Sequence, residues 1–452
     1  MALWGQEYGS GLRLDDEGYS EIPLKATLIS RDYTELPRQV SLKAYCPTPG
    51  NQGVYSTCVG WATAYAARTI MEAQRKQWND PAMITQNAFS GAFIYKLIQI
   101  ASDISCEYGT HFQDALSIMK ARGVPRHQDF RPLCPGSVSI PEALHDSAQA
   151  YRIEDFHRLF NVSDGANFKT QAVRKALAQG HPVVFGIKLV PTLYKAGPLW
   201  EPLSEERLSG GEGGHALCII GYDDDKFEGQ GAFEIMNSWG TSWGQGGFCW
   251  IKYQDFADFA KYAFEMILPA PPQINGWQGR FSVVLRNQQS LPVRLKENTT
   301  SLGYYELLQP QAAGTEFRVH FGTKAPAYVY ILGSDLTNEI FALFPHQPGI
   351  SPALNYTQSE IVLPDESHYI RLDQQPGRDY LLVLYAQKAL DFAQIQKALR
   401  QSSGNFIQRI QKVLGNTLAN ASAVKFENNQ MRFEAQCPAD KVVGLLLEIN
   451  RQ

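Results

Sequence analysis

Four residues of this chain have the types and order for covalent chemistry: Gln52, Cys58, His215 and Asn237. Cys58 closes the run Gln52-Gly53-Val54-Tyr55-Ser56-Thr57-Cys58, and His215 lies in Gly213-Gly214-His215-Ala216-Leu217. Asn237 opens Asn237-Ser238-Trp239-Gly240-Thr241-Ser242-Trp243-Gly244. A thiol attacks as its thiolate, and either a neighbouring imidazolium or the positive end of a helix lowers its pKa. The run from Cys58 to Arg68 reads as an Ala-rich, partly amphipathic helix with Cys58 in its first turn, behind the N-cap formers Ser56 and Thr57. His215 would hold the thiolate as an ion pair and then protonate a departing amine. Asn237 would fix the imidazole's orientation. The Gln52 side-chain amide and the Cys58 backbone N–H would donate to a developing oxyanion.

Taken singly, each residue has a plainer reading: a small buried hydrophobe, a packing histidine, a turn between strands. Order and context join them. The six-residue step from Gln52 to Cys58, the His215-Ala216 pair before an apolar strand ending Gly221-Tyr222-Asp223, and the Asn-Ser-Trp-Gly-Thr-x-Trp-Gly block resemble the papain-like cysteine peptidases. Tyr194-Lys195-Ala196-Gly197 resembles a family segment upstream of the histidine, and the likeness covers roughly residues 37–268. It implies a Cys-His-Asn triad of Cys58, His215 and Asn237, with Gln52 in the oxyanion hole. Gly109 marks the family's Gly-Gly substrate strand, so Gly109, Gly214 and Trp239 become substrate-binding residues. The resemblance also implies a disulfide between Cys106 and Cys134. Val59 stands where the family has tryptophan and Tyr55 where it has cysteine, so one family disulfide cannot form and the local papain signature is broken.

A chain of 452 residues holds two or three domains. Its 19% charged and 44% hydrophobic residues suit a folded globular protein, and a net charge of −4 gives no basic footprint for nucleic acid. No apolar run reaches the roughly 18–20 residues of a membrane span. The first residues lack a charged start and an apolar stretch, so any signal peptide is expected to have been removed. No tract suggests a metal or an organic cofactor. Cys218 and Cys249 fall in apolar segments expected to be neighbouring strands, buried rather than bridged.

These readings give an α+β fold: a two-lobed papain-like domain, helical lobe then β lobe, followed by an antiparallel β-sandwich-like domain. Residues 1–36 read as an arm packed on the domain, with a short propeptide as the second choice. Residues 37–268 form the peptidase domain, 269–273 a Pro-rich linker (Pro269-Ala270-Pro271-Pro272), and 274–452 the β domain. Helical periodicity is clearest over Phe112–Lys120, ended by Gly123 and Pro125, and strands follow from 180. Leu193–Gly214 reads as a long surface loop near His215. The β domain carries strand-like runs, one helical interval at about 391–414 and two last strands near 423–449. It resembles an accessory domain of unknown function in some bacterial peptidases, and is expected to bind a protein or surface ligand. The expected activity is that of a cysteine endopeptidase on peptide or protein substrates, monomeric, bacterial and extracytoplasmic. Transpeptidation through the same thioester and a silenced binding protein are the alternatives.

Overall fold

The computed structural model describes residues 8–26, 36–209, 213–269, 276–296, 301–335, 339–347, 349–354, 360–364 and 368–452. The chain divides into two compact units, one of residues up to Lys25 with Leu36–Pro269, the other of Ala26 with the chain beyond Pro269. Of the Pro-rich linker, residues 270–273 lie outside the described residues.

The helix that carries Cys58 runs through the middle of the first unit. It starts as an α-helix over Cys58–Gly60, widens into i→i+5 turns over Trp61–Arg68, and resumes as α over Thr69–Lys76. Residues 58–73 are all buried. A helix surrounded on every side needs no polar face, which is why the expected partial amphipathicity is not realised. Thr57 stands at the N-cap but its hydroxyl makes no capping bond. The small side chains predicted to favour helix serve close approach instead. A Cβ on Gly60 would lie 2.2 Å from the Gly91 carbonyl oxygen, so this helix and Gly91–Ile98 meet backbone to backbone. A buried ion pair, Arg68 to Glu72 at 2.9 Å, braces the middle of the helix. Phe112–Ala121 follows as predicted and ends at Gly123, whose φ of 79° favours glycine.

The strands of this unit are β1 (Gln39–Ser41), β2 (Asp155–Arg158), β3 (Val183–Lys188), β4 (Leu199–Trp200), β5 (Gly214–Asp223), β6 (Ala232–Met236), β7 (Phe248–Lys252) and β8 (Ala260–Ile267). They form one sheet in the order β2-β8-β3-β5-β6-β7-β4, with β1 also on β5. Two strands, β1 and β2, thus precede residue 180, from which strands were expected. β5 and β6 are antiparallel neighbours, Cys218 opposite Met236. His215 near the start of β5 and Asn237 just past β6 therefore come to the same end of the sheet. Cys218 and Cys249 are buried free thiols, but β6 lies between their strands, so they are not on adjacent ones. Cys106 and Cys134 are bridged. Leu193–Gly214 is not a plain loop. It holds a short helix Pro191–Tyr194, β4 and a helix Ser204–Ser209, pinned where Glu206 accepts from Thr192 N at 2.9 Å and Leu203 N at 2.9 Å; residues 210–212 lie outside the described residues.

The second unit stacks two sheets over one core. One runs Val293–Leu295, Gly303–Leu307, Val442–Arg451, Gly377–Ala386, Ala327–Ser334, Ile340–Phe344. The other runs Glu360–Leu363, Glu316–Thr323, Trp277–Leu285, Met431–Ala435, Val424–Phe426. Phe281, Val283, Phe317 and Val319 from one sheet meet Val329, Ile331, Val383 and Leu445 from the other. That alternation is the pattern of a β-sandwich. Gly303–Leu307 and Val442–Arg451 pair parallel, an exception to the antiparallel expectation. The helical interval is a pair, Phe392–Gln401 and Phe406–Leu414, and three strands rather than two follow it. Among the described residues no helix is long and apolar enough to cross a membrane, and no three His, Cys, Asp or Glu side chains group as metal ligands would.

The backbone contact at Gly60 generates a prediction. Gly91→Val should destabilise the first unit by about 1–3 kcal/mol through overpacking alone, measured as a lower urea midpoint at unchanged slope.

Candidate active site

The loop before the nucleophile is sewn to the loop after β6. Gln52 N donates to Ser238 O at 2.8 Å, Gly240 N to Gly50 O at 2.8 Å, and Asn51 bridges Trp239. Cys58 is fully buried at the start of its helix, and its sulfur faces backbone groups of Ala216, Val59 and Leu12. Ala216 is the neighbour of His215 on β5, so the start of the Cys58 helix packs on the strand that carries the imidazole.

The imidazole is oriented by hydrogen bonding that fixes its tautomer. His215 Nε2 stands 2.8 Å from Asn237 Oδ1. That oxygen also accepts from Ser238 N at 2.7 Å, which identifies it as the carbonyl side of the amide. Nε2 must therefore carry the hydrogen, and neutral Nδ1 is left with its lone pair and no hydrogen-bond partner. The ring lies against Trp239, centroids 4.4 Å apart and 23° from parallel. Burial pushes the Cys58 thiol up to about 12, against smaller opposing effects of the facing backbone. Burial likewise takes His215 down to about 4, the Asn237 bond acting weakly the other way. Both shifts favour the neutral thiol and imidazole over the thiolate–imidazolium pair while the site is buried.

Gln52 is fully buried, and its amide is fully used. Ser238 Oγ donates to Oε1 at 2.6 Å, while Nε2 donates to Tyr55 O at 2.7 Å and to Gly9 O at 3.1 Å. The Gly9 carbonyl also takes the Trp239 indole N–H at 2.8 Å. The amino-terminal arm thus lies in the cleft. Gly9 N donates to Gly53 O, Leu12 N to Gly214 O at 3.1 Å, Thr110 N to Gly11 O at 2.8 Å, and Arg13 N to Thr110 O at 3.0 Å. Each residue named from sequence as substrate-binding is covered by this arm: Gly214 pairs with Leu12, Trp239 with Gly9, and a Cβ on Gly109 would lie 2.1 Å from Gly11 O. Farther on, the helix Asp16–Glu21 follows its cap Asp15, and Lys25 is buried against Glu265.

Sequence reasoning missed Tyr8, Gly9, Leu12, Tyr194 and Ser238. Tyr8 and Tyr194 both stack on Trp239, at 5.1 Å and 5.0 Å. The arm's glycines were the available signal. A Cβ on Gly9 would lie 2.1 Å from Tyr55 O, and one on Gly11 2.3 Å from Ser56 O, so only a bare backbone fits there.

Residues 52–265 match the family model described as papain family cysteine protease. The matched residues lie within the first unit, which is thus similar to the papain family of cysteine proteases. An uncharacterized peptidase C1-like protein of Acanthamoeba polyphaga mimivirus is 26% identical over 217 residues, 46% of this chain, which spans 65% of that relative's length. Among solved structures, xylellain, a cysteine protease from Xylella fastidiosa, is 21% identical with a TM-score of 0.47, over 59% of this chain and 99% of that one. The bromelain protease from Ananas comosus is 17% identical with a TM-score of 0.40, over 52% and 100% of the two chains.

A neutral thiol has a characteristic pH signature. Alkylation of Cys58 by iodoacetamide in the intact chain should rise about tenfold per pH unit between about pH 5 and 9. An acid-side plateau, read by intact mass, would show instead that a thiolate persists under the arm.

Proposed function

We propose that the chain is a cysteine endopeptidase whose cleft is held shut by residues 8–13. The observation that carries the reading is the Asn237-fixed tautomer of His215, which leaves the Nδ1 lone pair free to serve as the base the reaction needs. With the arm gone, water and substrate re-enter and the burial that keeps both groups neutral is relieved. Cys58 then gives its proton to Nδ1 and its sulfur attacks the scissile carbonyl carbon. The carbonyl electrons move onto oxygen, which the Gln52 amide (freed from Gly9) and the Cys58 N–H receive. Collapse breaks the C–N bond, the amine leaves with the proton from Nδ1, and a thioester remains. Water, deprotonated by Nδ1, adds to the thioester and expels the thiolate, giving the free acid. The Cys106–Cys134 bridge supports an oxidising, extracytoplasmic setting. The β domain serves to dock the enzyme on a protein or surface ligand.

Gly11→Val tests the reading in the full chain, because a side chain there meets the Ser56 backbone. The variant should cleave an unstructured protein and take one equivalent of an epoxysuccinyl peptide, the intact chain far less. Adding Cys58→Ala should abolish both, and adding Gln52→Ala should lower kcat about a hundred- to thousand-fold. An arm-released chain that is alkylated at Cys58 but hydrolyses no peptide sinks the endopeptidase reading.

A further inference from the structure

The backbone at Gly109-Thr110 is the rail on which the arm lies, and what holds that rail is a buried carboxyl group outside the catalytic set. Asp103 is fully buried, and no cation is paired with it among the described interactions. It accepts three donors: Glu107 N at 2.8 Å, Tyr108 N at 3.3 Å and the Tyr95 hydroxyl. Tyr95 is itself fully buried, and its hydroxyl also meets the Gly109 backbone. Burial first, and the Asp103 contact second, hold its pKa well above the ordinary tyrosine value. The same short segment is tied at its other edge to the loop before the nucleophile, Ser56 N donating to Cys106 O at 2.8 Å and Ser56 Oγ to Glu107 O at 2.9 Å. The Cys106–Cys134 bridge closes the loop below.

A carboxyl group taken out of water is expensive unless its lone pairs are filled, so three donors converging on one buried Asp mark a site where position matters more than stability. We propose that Asp103, acting through Tyr95 and the 107–108 amides, is a positioning residue that sets the height of the Gly109-Thr110 strand. Resting on the peptidase reading, this makes one brace responsible for two competing ligands: the arm in the closed chain and the extended peptide substrate in the open one. Loss of the brace weakens the grip on both without touching Cys58, His215, Asn237 or Gln52. No other carboxylate can take over, since Glu107 contributes its backbone and Asp114 lies on the helix Phe112–Ala121.

The test uses Asp103→Asn and Tyr95→Phe, each in the full chain and in the Gly11→Val background. Asparagine keeps the shape but offers one acceptor oxygen, so at least one of the three donors then faces an NH2 group. Tyr95→Phe removes only the hydroxyl and guards against a misfolded first variant; thermal midpoints check both. With the arm released, KM for a peptide substrate should rise about tenfold, with kcat and the rate of iodoacetamide alkylation within twofold. Iodoacetamide needs no strand to lie on, so it separates thiol reactivity from substrate holding. In the full chain the same substitutions should speed alkylation of Cys58 about tenfold, because the arm is held less well. An unchanged KM together with unchanged latency overturns the proposal. So does a parallel fall of kcat and alkylation rate, which is what a merely structural residue would give. If the Gly11→Val chain hydrolyses nothing, the peptidase reading fails on its own, and alkylation of the full chain still decides whether Asp103 holds the arm.

Discussion

The seam between residues 50–52 and 238–240 is the constraint on which the rest of the first unit depends. Two backbone hydrogen bonds, which make up the Asn51–Trp239 β-bridge, join a loop of the helical lobe to the residues just past β6, and the Ser238 hydroxyl locks the Gln52 amide onto the same line. Thiol and imidazole sit far apart in sequence and on different lobes, so their relative placement can be no better than this seam. It also explains why Asn237 and Ser238 are more than a turn. Asn237 Oδ1 orients His215 while accepting from the next backbone amide, and Ser238 orients Gln52. One tripeptide, Asn237-Ser238-Trp239, therefore orients the His215 imidazole and the Gln52 amide and supplies the ring on which the imidazole lies.

Closure by the arm follows from the same geometry. The Gly9 carbonyl oxygen accepts from the Gln52 amide, the group proposed to receive an oxyanion, and from the Trp239 indole. With the arm in place both groups are buried, and burial is the largest of the effects that favour a neutral thiol and a neutral imidazole. Charge separation and occupancy are thus alternatives: the groups that would ionise can do so only when the chain covering them has left.

Gln52, Cys58, His215 and Asn237 stood out because they lie in long, tryptophan-rich or tightly spaced motifs, and the helix of Phe112–Ala121 was legible because period and terminators agreed. The arm's course was not legible. Tyr8-Gly9-Ser10-Gly11 has no periodicity, and its backbone and side-chain partners lie more than 40 residues away, so its glycines alone mark the close approach and do not say to what. The Cys58 helix was found but its environment was misjudged, because an Ala-rich run looks alike whether one face or all faces are covered. Cys218 and Cys249 were placed on neighbouring strands because apolar runs reveal strands but not their order, and β6 intervenes. In the second unit the parallel pairing of Gly303–Leu307 with Val442–Arg451 joins segments distant in sequence, beyond what turn signals can report.

The arm is covalently attached, with Asp15 hydrogen-bonded through Gln113 and Lys25 anchored on Glu265. A ligand tethered this way meets its site at an effective concentration on the order of millimolar or more, whatever the concentration of the protein. Dilution cannot relieve such occupancy, and neither can moderate amounts of competing substrate. The closed fraction is thus independent of protein concentration, a property of each single molecule, and the time for which a cleft stays open is set by how fast residues 8–13 re-dock rather than by any encounter between chains.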